Sequence, residues 1–155
     1  HVTCTATDIE SRAIDLATKT VDALGLTADE VAFSLTNLVS SIPREEWGTF
    51  DVLVSNPPYI PTDVMRSLPH EVKDFEPDLA LEAADGLDIF RRLLNAAPYM
   101  LRAGGLFACE LYEGTLDAAA ELCRQAGLSD VRIVHDLTDR PRIVRAIVTE
   151  PKQRH

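Results

Sequence analysis

The stretch Phe50–Tyr59, FDVLVSNPPY, decides how this chain is read. Its first six residues are a nearly continuous apolar run, the pattern of a strand buried on both faces. Asn56-Pro57-Pro58-Tyr59 follows at once. Two prolines fix φ and remove two backbone donors. The carbonyls of Asn56 and Pro57, and the Asn56 side-chain oxygen, are then left to accept hydrogen bonds. Together they can grip the two hydrogens of an NH2 group, while Tyr59 lies flat against a planar amide or base. An amide nitrogen is a poor nucleophile, so orientation and removal of positive charge matter most. A proline-rich turn after a strand is the plainer alternative. The order strand, Asn, Pro, Pro, aromatic is more specific than that, so Asn56, Pro57, Pro58 and Tyr59 are the candidate catalytic and substrate-binding residues.

Working outward, His1 to Asp8 (HVTCTATD) reads as a strand rich in β-branched residues. Ser11 to Leu24 puts Ala13, Ile14, Ala17, Val21 and Leu24 on one helical face, and Gly25 suits the position after its end. Val31 to Leu35 is a short second strand. Asn56 to Asp85 carries Pro57, Pro58, Pro61, Pro69 and Pro77, and a loop this long is usually functional. A short helix is expected within it, at Val64 to Leu68 or His70 to Asp74. Leu87 to Leu101 is helical by pattern, although Pro98 should kink or shift it. Gly104-Gly105 reads as a turn into a buried strand, Leu106 to Leu111. A helix from Thr115 to Ala126 ends at Gly127. Val131 to His135 and Ile143 to Thr149 are the last strands, an antiparallel pair at a sheet edge. The alternation implies an α/β fold with a mostly parallel sheet and helices on both faces. The domain is expected to span residues 1–150, with a polar tail at 151–155.

The bulk composition agrees. At 155 residues the chain suits one domain, and 46% apolar with 26% charged residues is the balance of a globular protein. There is no apolar run of membrane-spanning length, and His1 to Asp8 reads as a strand rather than a signal peptide. The formal net charge of −10 repels phosphate backbones, which disfavours direct nucleic-acid binding. Cys4, Cys109 and Cys123 form no CxxC, so neither a disulfide framework nor a metal site is expected. Buried free thiols and a cytoplasmic location are the expectation.

A doubly wound sheet binds ligands at the carboxyl ends of its strands. Asp8 ends the first strand, with Ile9 beside it, and a carboxylate there can accept hydrogen bonds from both hydroxyls of a ribose. A helix-start acid favoured by the dipole is the alternative. Asn37 and Leu38 follow the second strand and could contact an adenine.

With these residues in view, the chain resembles the S-adenosylmethionine-dependent methyltransferases of the HemK type, which modify a glutamine side chain of peptide-chain release factors. The likeness extends from FDVLVSNPPYIP through Glu71-Val72 and Phe75-Glu76-Pro77 to ALEAADGLDIFRRLL at Ala80 to Leu94. It continues with the strand from Gly104 to Leu111 and the stretch from Asp136 to Arg142. The resemblance implies a Rossmann-like class I methyltransferase fold and S-adenosylmethionine as cofactor. It implies that Asp8 holds the ribose, Leu38 flanks the adenine and Asn56 reaches both cofactor and substrate. Asn56 to Tyr59 would hold the glutamine amide, and Glu76 would help shape the mouth. Motifs of the NPPY type also occur in enzymes that methylate amino groups of nucleic-acid bases, and a ribosomal protein is a further possible acceptor. Three departures stand out: Asn37 replaces an acid, Tyr112 stands where Glu110-Leu111 is usually followed by glycine, and no glycine-rich turn precedes Asp8. By the resemblance the family's first, central strand and its N-terminal helical domain are absent from these residues. A truncated, non-catalytic remnant of the fold is therefore the reading from a different class.

Overall fold

The computed structural model describes residues 2–57 and 86–152. The chain divides into two compact units, His1–Arg44 and Glu45–His155.

The first unit is a β-α-β arrangement. Strand β1, Cys4–Asp8, leads into helix α1, Ser11–Ala23, and strand β2, Val31–Leu35, returns parallel to β1. The ladder pairs Cys4 with Val31 and Asp8 with Leu35. Helix α1 turns Ile14, Ala17 and Val21 partly inward, one face at i, i+3 and i+7. None of its residues is fully buried. Leu24, expected on the inner face, is exposed because the helix stops at Ala23 and Leu24 is its C-terminal cap. Cys4 is exposed, which corrects the expectation of three buried thiols. It begins the strand, and only Ala6 and Thr7 of β1 are even half-buried.

The second unit holds a four-stranded sheet, with β3 (Phe50–Ser55), β4 (Leu101–Glu110), β5 (Ser129–His135) and β6 (Pro141–Val148) in the order β3-β4-β6-β5. β3 and β4 are parallel, whereas β6 runs antiparallel to both its neighbours. β6 is therefore the one reversed strand of this sheet. Helices α2 (Asp88–Met100) and α3 (Leu116–Gln125) pack on one face. Phe90, Leu93, Leu94, Ala97 and Met100 are buried from α2, and Leu116, Ala119, Ala120 and Cys123 from α3. They meet Phe107, Cys109, Val144 and Ala146 of the sheet, all fully buried, with the Phe90 and Phe107 rings 5.8 Å apart. Each such leucine, valine, methionine or phenylalanine side chain contributes about 1.5–3 kcal/mol when removed from water.

Two expectations fail here. β3 is not buried on both faces, since Val52 and Val54 are 51% and 73% exposed. The described helices of its unit cover only the face that carries Phe107 and Cys109. Nor does Gly104-Gly105 end a turn before the strand, because β4 already begins at Leu101. Phe50 pairs with Leu101 but Val52 pairs with Leu106, so the ladder bulges between them. Gly104 has φ 78° there, and a Cβ on Gly105 would lie 2.9 Å from the Arg102 carbonyl oxygen. The glycine pair therefore makes an irregular strand start. Pro98 lies within α2, which continues past it to Met100. So close to the helix end, the missing N–H costs a single ladder bond.

The β5–β6 hairpin turns on Asp136. Its Oδ1 accepts from the Thr138 amide (2.8 Å), the Thr138 hydroxyl (2.7 Å) and the Arg140 amide (3.1 Å), and Oδ2 accepts from Arg142 Nε at 3.2 Å. The Thr138 hydroxyl and the Arg140 amide are the main reasons its carboxyl sits far below the usual range. No described helix is long and apolar enough to cross a membrane.

Candidate functional site

The described candidate residues fall at the carboxyl ends of strands in both units. In the first, Asp8 closes β1 and Leu35 closes β2 as its register partner. The Thr36 amide donates to the Asp8 carbonyl at 2.8 Å, so the chain that carries Asn37 and Leu38 leaves the sheet beside Asp8. The side chain of Asp8 is exposed, and Oδ1 accepts from the Glu10 amide at 2.8 Å. That bond orients the carboxylate and leaves Oδ2 available to a ligand. Ile9 is 47% exposed beside it.

Leu38 is half-buried and has φ 54°, a left-handed backbone that costs a leucine about 1–2 kcal/mol. Residues in that region cluster at ligand sites, where surrounding structure enforces them. Ser40 holds the turn, its amide and hydroxyl donating to the Asn37 carbonyl at 3.2 and 2.8 Å. Sequence pattern marked Leu38 only weakly, and the backbone strain is the stronger signal. A pocket of about 110 Å3 opens at the same end, with Asp8 and Thr7 among its walls and Ala6, Ala13, Ala17 and Phe33 making it apolar.

In the second unit Ser55, last residue of β3, pairs with Cys109 of β4. Asn56 and Pro57 therefore leave the sheet next to Glu110 and Leu111. Asn56 is exposed and Pro57 is buried. Among the described residues, neither the Asn56 side chain nor the carbonyls of Asn56 and Pro57 take part in a hydrogen bond. Burial of Pro57 anchors the peptide while its neighbours' acceptors stay open. Pro58, Tyr59 and Glu76 lie outside the described residues, as do the expected short helices of the long loop. Tyr112 is half-buried, and its carbonyl accepts from both the amide and the hydroxyl of Thr115, at 2.9 and 2.8 Å. A Cβ on Gly114 would come within 2.9 Å of the Tyr112 ring. The tyrosine thus packs against the glycine two residues on, which accommodates it.

The described residues contain no group of three or more His, Cys, Asp or Glu able to hold a metal ion. No family model matches the chain. A release factor glutamine methyltransferase of Cereibacter sphaeroides is 37% identical over 142 residues, which are 91% of this chain and 49% of that protein. Its counterpart in Chlorobaculum tepidum is 38% identical over 135 residues, 85% of this chain and 45% of that protein. The chain is a relative of the release factor glutamine methyltransferases. It spans about half the length of these relatives of that name.

Among solved structures, a methyltransferase from Pyrococcus furiosus superposes with a TM-score of 0.67 at 19% identity, over 95% of this chain and 63% of the other. The Mtq2–Trm112 complex of E. cuniculi, responsible for methylation of eRF1, matches with a TM-score of 0.54 at 16% identity, over 96% of this chain and 87% of the other. At these identities the likeness establishes the fold alone. The α/β architecture is that of the class I methyltransferases, as the resemblance in sequence implied.

Proposed function

We propose that these residues belong to an enzyme that transfers a methyl group to the side-chain amide nitrogen of a glutamine in a peptide-chain release factor. The observation that carries this reading is the set of open acceptors at Asn56-Pro57, held at the carboxyl end of β3 beside Glu110. The curated relatives carry that activity in their names and match the chain at 37–38% identity. S-adenosylmethionine supplies an electrophilic sulfonium methyl when bound. The residues of the first unit fit such a cofactor: Asp8 offers a free carboxylate oxygen to ribose hydroxyls, while Leu38 and Asn37 offer an apolar face and an amide to adenine.

The work of the chain is then orientation. The Asn56 side-chain oxygen and the carbonyls of Asn56 and Pro57 accept the hydrogens of the glutamine NH2, which fixes the amide plane and with it the direction of the nitrogen lone pair. As the N–C bond forms the nitrogen gains positive charge, and the same acceptors stabilise it more strongly than they do the ground state. Tyr59 would lie against the amide plane. A release factor as protein partner fits a cytoplasmic enzyme. Methylation of a nucleic-acid base fits less well with a chain of net charge −10.

Asn56→Ala tests the reading. Asn56 is exposed and unbonded among the described residues, so melting should shift very little. Methylation of the release-factor glutamine, read by mass spectrometry of the tryptic peptide, should fall about a hundredfold or more. A variant that keeps the wild-type rate sinks the amide grip.

A further inference from the structure

One acid at the sheet end has no structural employment. Glu110 ends β4 and is half-buried. Its carboxylate has no hydrogen-bond or ion-pair partner among the described residues. Asp51, Asp88, Glu121, Asp130 and Asp136 pair with arginines, whereas Glu110, like the exposed Asp15, Asp22 and Asp117, does not. Among the described residues no buried side-chain oxygen lacks a hydrogen-bond partner, so the Glu110 carboxylate is still reached by solvent and open to a role.

The ladder supplies one. Residues paired across parallel strands project to the same face, and the face alternates along each strand. Phe107, Cys109 and Leu111 are fully buried on one face. Ala108 and Glu110 are half-buried on the other, where Ala108 pairs with the exposed Val54 of β3. Val54 pairs with Ala108 and Ser55 with Cys109, the last pair of the ladder, so Asn56 leaves β3 at the level where β4 ends in Glu110. Neighbouring strands are about 4.8 Å apart, which lets both side chains reach one small planar group. On the other flank Glu110 pairs with Ile143, an apolar residue. Arg145, two residues along β6 on the same face, is turned to Asp130 at 2.9 Å. Among the described residues no cation takes the Glu110 carboxylate, which ends β4 beside the point where Asn56 leaves β3.

We propose that Glu110 is a second catalytic acceptor for the substrate nitrogen, a role that rests on the glutamine-amide reading above. Its carboxylate takes a hydrogen bond from the NH2 beside the Asn56 oxygen. That bond strengthens as the nitrogen becomes positive. The nitrogen lone pair forms the N–CH3 bond, and the electron pair of the breaking S–CH3 bond goes to sulfur. The N–H proton then passes to the Glu110 carboxylate, leaving a neutral N-methylamide. The resulting carboxylic acid returns its proton to water.

The test uses wild type, Glu110→Gln and Glu110→Asp with intact release factor, scoring methylglutamine by mass spectrometry and separating kcat from KM. Glutamine keeps the shape but loses the charge, so kcat should fall about a hundredfold with KM within about twofold. Aspartate keeps the charge and should recover part of the lost kcat. A Gln variant with wild-type kcat, a loss confined to KM, or an Asp variant no better than Gln overturns the proposal and leaves the glutamine reading standing. Wild-type protein that never methylates the release-factor glutamine overturns both.

Discussion

At the scale of single residues, the structure divides side chains that composition treats alike. Burial pushes the Cys109 thiol up to about 12, with the neighbouring Cys123 thiol adding to the effect, and burial pushes Cys123 up to about 11. Only a thiolate reacts readily, and Cys4 alone is exposed. Iodoacetamide at neutral pH should therefore label Cys4 in the folded protein, and Cys109 and Cys123 only after denaturant is added. Labelling of Cys109 in native buffer would contradict the core as described. The candidate site was legible to the same uneven degree. Asn56 and Pro57 could be read from sequence because the chemistry of Asn-Pro-Pro is local: the prolines strip donors wherever they sit. Asp8 and Leu38 followed from strand ends. The role proposed for Glu110 could not be reached that way, since its place near Asn56 follows only from the register of strands far apart in sequence. The left-handed backbone of Leu38 is likewise invisible in a leucine codon, which carries no turn signal.

At the scale of elements, strands β2 and β3 start and stop where their β-branched and apolar runs do. Helices α2 and α3 lie within a residue of their periodic patterns. What failed were inferences about surroundings. An apolar run such as FDVLVS states that a strand forms, and it is silent on whether one face or two will be covered. Gly104-Gly105 looks the same in a turn as in a bulge. The Asp136 hairpin supports a pH prediction. Its carboxyl is held below its ordinary value by the hydrogen bonds it accepts, so the ionised form is favoured in the folded state. The stability this contributes is present at neutral pH and is lost as pH falls below about 4, the range of an unfolded aspartate. Asp136→Asn should lower the urea midpoint near pH 7, and the gap from wild type should narrow by about pH 3. A gap that is the same at both pH values would mean that the charge of Asp136 is not what holds the turn.

At the scale of the whole molecule, the two units differ in how much they bury. Of the buried apolar residues, Ile42 alone belongs to the first unit, and α1 contributes none. Local opening is easiest where few apolar side chains are enclosed. Amides of β1, α1 and β2 should exchange with solvent well before those of β4, β6 and α2, as read by native-state hydrogen exchange. Equal protection in β1 and β4 would refute this ranking. The cofactor-side residues would then sit on the softer unit and the acceptor-side residues on the firmer one, so binding of a methyl donor should raise protection chiefly around Asp8 and Leu38. The bulge at the head of β4 has a consequence of its own. Between the pairs Phe50–Leu101 and Val52–Leu106, β3 spends one residue, Asp51, while β4 spends four, 102–105. That surplus uncouples chain length from site geometry. An insertion or deletion among Arg102, Ala103 and Gly104 can be taken up there while Phe107, Cys109 and Glu110 keep their places, making the start of this strand a natural seam for evolutionary length change or for an engineered reporter.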